Sequence, residues 1–425
     1  MKDRNENRPG YKKTKIGWIP IDWKTPLLDT ISRRETGHTP NKKKPEFWNG
    51  PIKWVSLADS GKLNRPVIDH TAKTITKEGI RNSSARLLQS GTVILLRDAS
   101  VGLSSILIEE MAVSQHFVTW SCGDTLHNVF LYYWLLYNKR HFQKMAFGST
   151  IVTIGMPFFK KMRVPIPPLP EQQKIGEILS TWDEAIEQMR KLIDAKKRRK
   201  KALMQQMLTG KSRLPEFVTF KGRKSYRFFD LPEDWESPQI RDVAQEYSKR
   251  NTDGNDLTVL ACSKHLGFVK SSEYFGKRVF SADTSNYKII RRNYFGYPSN
   301  HIEEGSIGLL LSHDIGIVSP IYTVFQCNDR VIPEYLYAVF KTDTFRHIFA
   351  ISTNASVDRR GSLRWREFSL IRVPRPSIKE QQAIVDVLNA ADIEINQLDA
   401  KLKALEKQKR GLMQKLLTGE VRVKL

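Results

Sequence analysis

An internal duplication constrains the fold of this chain more than any other feature. Residues 164–214 align without a gap with residues 373–423, at a constant offset of 209. Both copies open on Val-Pro-x-Pro, continue through Glu-Gln-Gln and close with Leu-Met-Gln and Thr-Gly. Self-similarity at a fixed offset marks a chain built from repeated structural units. The sequence therefore predicts two tandem halves, each ending in one copy.

A shorter echo precedes each copy at an offset of 212. Its members are Pro20, Asp22, Trp23 and Pro26 in the first half, and Pro232, Asp234, Trp235 and Pro238 in the second. Residues 24–162 and 236–372 share almost no identity. We expect four segments: 1–163 with a first variable domain, a helix at 164–214, 215–372 with a linker and a second variable domain, and a helix at 373–425.

Each copy has the apolar spacing of a coiled-coil helix. Steps of four and three separate the apolar residues, which is the heptad pattern. In the second copy these residues are Ile384, Leu388, Ala391, Ile395, Leu398, Leu402, Leu405, Leu412 and Leu416, with Lys409 as the interruption. In the first copy they are Ile175, Leu179, Trp182, Ile186, Met189, Ile193, Leu203 and Met207, with Lys196 and Lys200 intruding.

A helix of about 40 residues is about 58 Å long at a rise of about 1.5 Å per residue, which is more than a compact core needs. We therefore expect the copies to pack on each other as a rigid spacer, and pairing between chains is the alternative. The predicted interface consists of Leu179, Trp182, Ile186, Met189, Leu388, Ile395, Leu398 and Leu402.

The charge balance points to a polyanionic partner. Lys and Arg total 69 against 45 Asp and Glu, a net charge of +24 in a chain that is 40% hydrophobic. Basic surfaces bind nucleic acid by neutralising phosphates and releasing condensed counterions. Nucleic acid, such as double-stranded DNA, is the favoured partner, and a membrane surface is the weaker rival.

Membrane insertion and cysteine chemistry are not indicated. The first 13 residues lack an apolar signal core, and the longest apolar run, 129–137, is shorter than the roughly 20 residues that span a bilayer. We expect a cytoplasmic protein without membrane contact. Cys122, Cys262 and Cys327 have no CxxC spacing, so we expect buried small hydrophobes rather than disulfides or zinc ligands.

The variable stretches have mixed α/β character. Residues 92–96 and 104–108 are typical of strands around a turn at 98–102. Aromatic-rich residues 128–147 and 333–350 predict one amphipathic core helix in each half. The loops after them, 148–150 and 352–356, are small and polar, and they can face a ligand.

Basic and amide side chains in both variable stretches suit DNA. Arg reads guanine edges, Asn reads adenine, and Lys mostly contacts phosphate. The predicted DNA-binding residues are Lys42, Lys43, Lys44, Arg97, Ser149, Thr150, Lys197, Arg198, Arg291, Arg292, Asn300, His301, Arg359 and Arg360. Residues 196–201 form an unbroken basic run on the first long helix, which can either track phosphates or be a solvated face.

No catalytic motif is found, so we expect neither catalytic residues nor metal ligands. Gly210-Lys211-Ser212 resembles the end of a Walker A loop, but Gln205 occupies the position of the required glycine. Residues 165–170 lack the Asn or Asp that precedes Pro-Pro-aromatic in amino-methyltransferases. His116 and the pair His313-Asp314 are interpreted as hydrogen-bonded structural groups.

The duplicated sequence resembles the specificity subunits of type I restriction-modification systems over essentially its full length. Residues 37–40 (GHTP) with 47–55 (FWNGPIKWV) look like the start of that family's target recognition domain, and 164–173 and 373–382 look like the segments that lead into its two conserved helices. The second half lacks the GHTP and WNG motifs, which suggests that it reads different bases.

This resemblance implies an α+β fold with two mixed α/β target recognition domains separated by two long antiparallel coiled-coil helices. Each domain would read one half of an asymmetric bipartite site. The helices would set the spacer and bind two modification subunits that use S-adenosylmethionine, while restriction subunits would use ATP and Mg. This chain would hold no cofactor. The rival hypotheses are a stand-alone methyltransferase or nuclease with divergent motifs, and a basic coiled-coil structural protein.

Overall fold

The computed structural model describes residues 5–63, 65–149, 151–218, 222–264, 266–300, 302–353 and 362–424. Contacts divide the chain into a first unit, Met1–Arg190 with Ala400–Leu425, and a second unit, Lys191–Asp399. Both cuts fall inside long helices, so each unit contains part of both helices. The four segment boundaries proposed from the sequence remain a prediction.

The first unit contains ten strands and four complete α-helices among its described residues, together with parts of the two long helices. The strands are β1 (Tyr11–Thr14), β2 (Gly17–Pro20), β3 (Ser32–Thr36), β4 (Trp48–Val55), β5 (Val67–Ile68), β6 (Lys73–Ile75), β7 (Val93–Leu96), β8 (Ser104–Leu107), β9 (Ala112–Val113) and β10 (Phe117–Cys122). The helices are α1 (Lys77–Arg81), α2 (Asn128–Tyr137), α3 (Lys139–Met145), α4 (Met156–Lys160) and the start of α5 (Leu169–Met207).

Its main sheet has the order β3-β10-β7-β8-β5, antiparallel except for the β5–β8 pair. A smaller sheet has the order β6-β4-β9. Both faces of the main sheet are covered, because alternate residues of β7 enter different cores. Val93 and Leu95 pack with α2 and the start of α5, whereas Ile94 and Leu96 pack with Val113 of the smaller sheet.

The second unit contains ten further strands among its described residues. They are β11 (Arg223–Ser225), β12 (Asp230–Pro232), β13 (Ala244–Glu246), β14 (Leu260–Ser263), β15 (Gly267–Lys270), β16 (Lys288–Arg291), β17 (Tyr294–Pro298), β18 (Gly308–Leu309), β19 (Ile315–Val318) and β20 (Tyr322–Cys327). Its helices, besides the end of α5, are α6 (Ile240–Val243), α7 (Ser271–Phe275), α8 (Pro333–Phe340), α9 (Asp343–Ser352), α10 (Trp365–Phe368) and most of α11 (Ile378–Leu417).

The second unit repeats the sheet of the first unit without repeating its sequence. Its main sheet runs β13-β20-β17-β18, antiparallel throughout, which matches β3-β10-β7-β8 strand for strand. An aromatic core of Phe295, Phe325 and Phe368 covers one face of this sheet. The additional strands differ, because a hairpin, β14–β15, and a pair of strands far apart in sequence, β16–β19, replace the three-stranded sheet.

The expected fold class is confirmed, with mixed α/β units and long helices of 39 and 40 residues. The predicted strands near residues 93–96 and 104–107 are also confirmed, and they pair antiparallel. In the described part of the chain, no helix is long and apolar enough to cross a membrane.

The single aromatic helices predicted at 128–147 and 333–350 are wrong, because each is a pair of helices. The first breaks at Asn138, whose Nδ2 donates to the carbonyl of Trp134 at 2.8 Å. The second breaks before α9, where the Thr342 hydroxyl accepts from the amide of Phe345 and caps the new helix. Helix α2 is not amphipathic either, because residues 130–135 are buried on all sides.

The cysteines are only partly as expected. All three are free, but only Cys262 is buried, whereas Cys122 and Cys327 are half-buried at the ends of β10 and β20. The last two residues of each of these strands are less buried than the first four. Desolvation still raises the pKa of each thiol to about 12, so all three resist ionisation.

Candidate nucleic-acid interface

The residues predicted to form the interface between α5 and α11 are shielded from solvent. In the first unit Leu179 and Ile186 are buried, and Trp182, Met189 and Leu402 are half-buried. In the second unit Leu388 and Ile395 are buried and Leu398 is half-buried. None of the eight is exposed, as the heptad pattern requires of residues that face a partner helix.

The lysines that interrupt the heptads form ion pairs between the two helices. In the second unit Lys196 binds Glu394 at 2.5 Å, and Lys200 binds both carboxylate oxygens of Asp392 at 2.5 Å. In the first unit the buried Lys409 pairs with Asp183.

The order of these pairs gives the direction of the helices. Residue numbers rise along α5 as they fall along α11, so the helices are antiparallel within each unit. Charged residues in a seam fix its register, because any slip would leave a charge without a partner.

The echo and the repeated copies meet in a tryptophan cluster in the second unit. The Trp235 indole donates to Glu380 at 3.1 Å, and Arg213 donates to Glu380 and Asp234 at 2.8 to 2.9 Å. The α5 chain reaches this cluster through Gly210, whose φ of +60° favours glycine. A Cβ at Gly210 would also lie 2.5 Å from the Pro232 ring.

The first unit contains an equivalent tryptophan cluster. The Trp23 indole donates to Glu171 at 3.2 Å, and Arg422 donates to Glu171 and Asp22 at 2.6 to 2.9 Å. Gly419 has a φ of +69° and lies against Pro20 as Gly210 lies against Pro232. Each tryptophan cluster therefore receives its arginine from the copy that belongs to the other half of the sequence.

Several predicted DNA-binding residues of the first unit are exposed. Lys42, Lys43 and Lys44 lie on an exposed loop, where Lys44 is 3.7 Å from Glu46. Trp48 anchors the start of this loop, because its indole N–H donates to the carbonyl of Asn41 at 3.1 Å. Ser149 is also exposed. These side chains are placed to reach a ligand.

Arg97 is used inside the fold. Its guanidinium donates to the carbonyl of Ile154 at 3.1 Å and lies 3.8 Å from Asp98. Only about a fifth of its side chain is exposed. A DNA contact by Arg97 remains a prediction, and it would require these internal contacts to be released.

The predicted residues of the second unit differ in availability. Arg291 is exposed, and a hydrogen bond from its side chain to Tyr247 raises its pKa further. Arg292 is held by Asp314 at 2.7 Å and by the carbonyl of Leu311 at 2.5 Å. Asn300 is half-buried. Thr150, His301, Arg359 and Arg360 lie outside the described residues.

The basic run on α5 is largely neutralised. Besides Lys196 and Lys200, Lys197 lies 3.6 Å from Asp399 and Lys201 lies 2.7 Å from Asp343. Residues 198 and 199, both arginines, are exposed and have no ion pair with any described residue. These two arginines are therefore the side chains of this run whose charge is not compensated by a described carboxylate.

An exposed aromatic and basic stretch in the second unit was missed from the sequence. Residues 272–279 are all exposed, and they include Tyr274, Phe275, Lys277 and Arg278. The Arg278 guanidinium lies 4.8 Å from the centre of the neighbouring Phe280 ring. Alternation of basic and aromatic residues was the available signal, but aromatic residues are more often core.

The GHTP and FWNGPIKWV motifs of the first half are structural in this fold. A Cβ at Gly37 would lie 1.7 Å from the carbonyl oxygen of Val113, so only glycine fits there. The buried Trp54 donates its indole N–H to the carbonyl of His38 at 3.0 Å. No cluster of three or more His, Cys, Asp or Glu suited to a metal ion occurs among the described residues.

Comparisons with known proteins identify the family. The model of the type I restriction modification DNA specificity domain matches residues 20–196, from the Trp23 echo into α5. The MjaVIII specificity subunit of Methanocaldococcus jannaschii is 22% identical over 433 residues, 96% of this chain and 94% of that relative. The chain is therefore similar to type I restriction-modification specificity subunits over nearly its full length, and its residues 20–196 match their DNA specificity domain.

Other specificity subunits agree in sequence and fold. The MjaIX specificity subunit of the same organism is 26% identical over 257 residues, which are 58% of this chain and 57% of that relative. The solved HsdS subunit of Thermoanaerobacter tengcongensis has a TM-score of 0.53 at 16% identity, over 95% of this chain and 98% of its own. The fold is therefore shared well beyond recognisable sequence identity.

Proposed function

We propose that this DNA sequence-specificity subunit reads an asymmetric bipartite site, one half-site with each unit, and that α5 and α11 set the unread spacer. The observation that carries the proposal is the combination of equal scaffolds with unequal surfaces. Both units have the same four-stranded core sheet and the same tryptophan cluster. Their exposed segments differ, with a lysine loop at 42–44 in one and an aromatic and basic stretch at 272–279 in the other.

Different surfaces on equal scaffolds are what an asymmetric site requires. Sequence is read at base edges, while phosphate contacts position the protein. The exposed arginines at 198 and 199 on α5 would supply phosphate contacts. A fixed helix length would then fix the half-site separation, as dimer geometry fixes operator spacing.

Specificity subunits of type I systems act in a complex with other subunits and DNA. In our proposal two modification subunits bind the helices and supply S-adenosylmethionine chemistry, and restriction subunits supply ATP- and Mg-dependent activity. The chain itself is not a catalyst in this scheme. The purified chain is expected to show no S-adenosylmethionine binding in calorimetry, whereas a stand-alone methyltransferase would bind it.

Single-molecule sequencing of methylated bases tests the proposal. A host that expresses this chain with its modification partner should carry methylation at one two-part motif with an unread spacer. The control host expresses the modification partner alone and should lack the motif. A contiguous motif, or the same motif in both hosts, would contradict the proposal.

A further inference from the structure

Two loops of the first unit are joined into one surface, which we call the twin-loop platform: residues 98–102 and the described residues of the second loop, 147–149 and 151–153. The amide of Ala99 donates to the carbonyl of Val152 at 2.8 Å. Phe147 and Thr153 exchange backbone hydrogen bonds of 2.8 and 3.0 Å, which closes the second loop. Asp98 accepts from the Thr153 hydroxyl and pairs with the His116 ring nitrogen Nδ1 at 2.8 Å. Asp98, at the start of the first loop, thus connects it to Thr153 of the second loop.

The tip of the twin-loop platform is apolar and exposed. Phe147 is 66% exposed and Ile151 is 54% exposed, and Met145 and Val152 are exposed beside them. A single exposed apolar side chain is ordinary, but several on one short loop mark a contact surface. Burial in the core does not account for these four side chains, because each of them is exposed.

The backbone of the twin-loop platform is held in unfavourable conformations. Ala99 has a φ of +59°, which is uncommon for a residue with a Cβ. Gly148 has a φ of +126°, and a Cβ there would lie 2.3 Å from the carbonyl oxygen of Ile151. Such conformations persist where the surrounding structure fixes them, and they concentrate at functional sites.

The chain segment that carries the second loop is basic, which favours a polyanion. No Asp or Glu occurs between Asp124 and Glu171, whereas six Lys and Arg do. Arg140 and Lys144 are exposed on α3, which leads directly into the loop. The carboxylate of the platform itself, Asp98, is only 7% exposed and is engaged by its partners.

We propose that the twin-loop platform reads the first half-site, with Phe147 and Ile151 in apolar contact with the C5-methyl group of a thymine. This inference rests on the proposed function. Among polyanions, DNA offers an apolar group at base edges in its major groove, and that group is the thymine methyl. An apolar tip within a basic surround matches this combination of phosphate and methyl.

Replacing thymine by deoxyuridine tests the contact without changing the protein. Each substitution removes one methyl group and keeps Watson–Crick pairing. With the complex of this chain and its modification partner, we expect one position of the first half-site to weaken binding about fourfold, the effect of one buried methyl group. If no thymine of the first half-site shows an effect above twofold, the proposal is overturned.

Side-chain truncation provides the second measurement. Phe147→Ala and Ile151→Ala should relax the methylation motif at one or two positions of the first half-site and leave the second half-site unchanged. Ile108→Ala is the matched control, because Ile108 is 53% exposed in the same unit and lies outside the platform. In Ile151→Ala, the deoxyuridine effect should disappear at the affected position.

The outcomes separate the two hypotheses. An unchanged motif in both platform variants would reject the twin-loop platform while leaving bipartite reading intact. Weaker assembly with the modification partner, together with an unchanged methylation motif, would make the tip a protein contact and also reject it. Absence of any bipartite motif with the unmodified chain would reject the proposed function itself.

Discussion

The two tryptophan clusters allow the same substitution to be compared at different burial. Arg213 and Arg422 make equivalent contacts with a buried glutamate, Glu380 or Glu171, and with an aspartate. The Arg213 side chain is 6% exposed, whereas that of Arg422 is 40% exposed. We predict that Arg213→Met destabilises its tryptophan cluster much more than Arg422→Met destabilises the other.

The magnitude follows from what remains after the substitution. Arg213→Met leaves the carboxylate of Glu380 buried with the Trp235 indole as a donor, and breaking a buried pair in this way costs about 3 to 5 kcal/mol. At Arg422 water can enter and solvate Glu171, so the cost falls to about 1 to 2 kcal/mol. The expected difference is therefore about 1 to 4 kcal/mol, with the larger effect in the second unit.

Hydrogen exchange measured by mass spectrometry gives the local free energy of each hairpin. A local measurement is needed because a chain with two units does not have to unfold in two states. In Arg213→Met, the amides of β11 and β12 should exchange at least about 100-fold faster, since about 1.4 kcal/mol is a factor of ten. In Arg422→Met, the amides of β1 and β2 should change by about 5- to 30-fold.

The control is Arg366→Met, because Arg366 is almost fully exposed in the second unit and should contribute less than about 0.5 kcal/mol. Equal effects of the two cluster substitutions would refute the argument from burial. A control effect as large as that of Arg213→Met would show that any loss of charge destabilises the unit.

Three further predictions concern the helices, DNA affinity and pH. Deleting residues 189–195 with 399–405 removes one heptad from each helix, about 10.5 Å of rise, so the methylation motif should lose about 3 base pairs of spacer. An unchanged spacer in single-molecule sequencing would disprove that the helices set the spacer length. Arg198→Gln and Arg199→Gln should each lower the slope of log affinity against log salt by about 0.9, whereas Lys196→Gln, whose partner is Glu394, should weaken the helix pair and leave the slope unchanged. The pKa of Asp22 lies below its usual 3.8, chiefly because Arg422 donates to it, so its stabilising effect is present above that value and is lost as pH falls through the lowered pKa. The protection factors of the β1 and β2 amides, in which exchange is corrected for its slower intrinsic rate in acid, should accordingly fall in acid with the unmodified chain, and they should fall less with Asp22→Asn.

The duplication, the long helices and their apolar interface residues can all be predicted from the sequence. These features are local or periodic, so residues 164–214 and 373–423 disclose them without knowledge of the fold. The excess of Lys and Arg likewise predicts a polyanionic partner from composition alone. The family resemblance followed from contiguous motifs, and the comparisons confirm it.

Availability of individual side chains could not be predicted. Arg97 and Arg292 suit DNA by residue type, yet the fold engages both, through Ile154 and Asp314. Most of the basic run on α5 is likewise spent on ion pairs. Composition reports which charges exist, whereas packing decides which of them reach solvent.

The ion pairs and strand pairs between segments far apart in the sequence became visible only in the tertiary structure. Lys409 looked like a defect in a heptad until its partner, Asp183, was known, and Arg422 meets Glu171 across most of the chain. The common sheet order of the two units is also absent from their sequences. Sheet pairing and buried ion pairs depend on burial between residues far apart in sequence, and many different side chains satisfy the same burial.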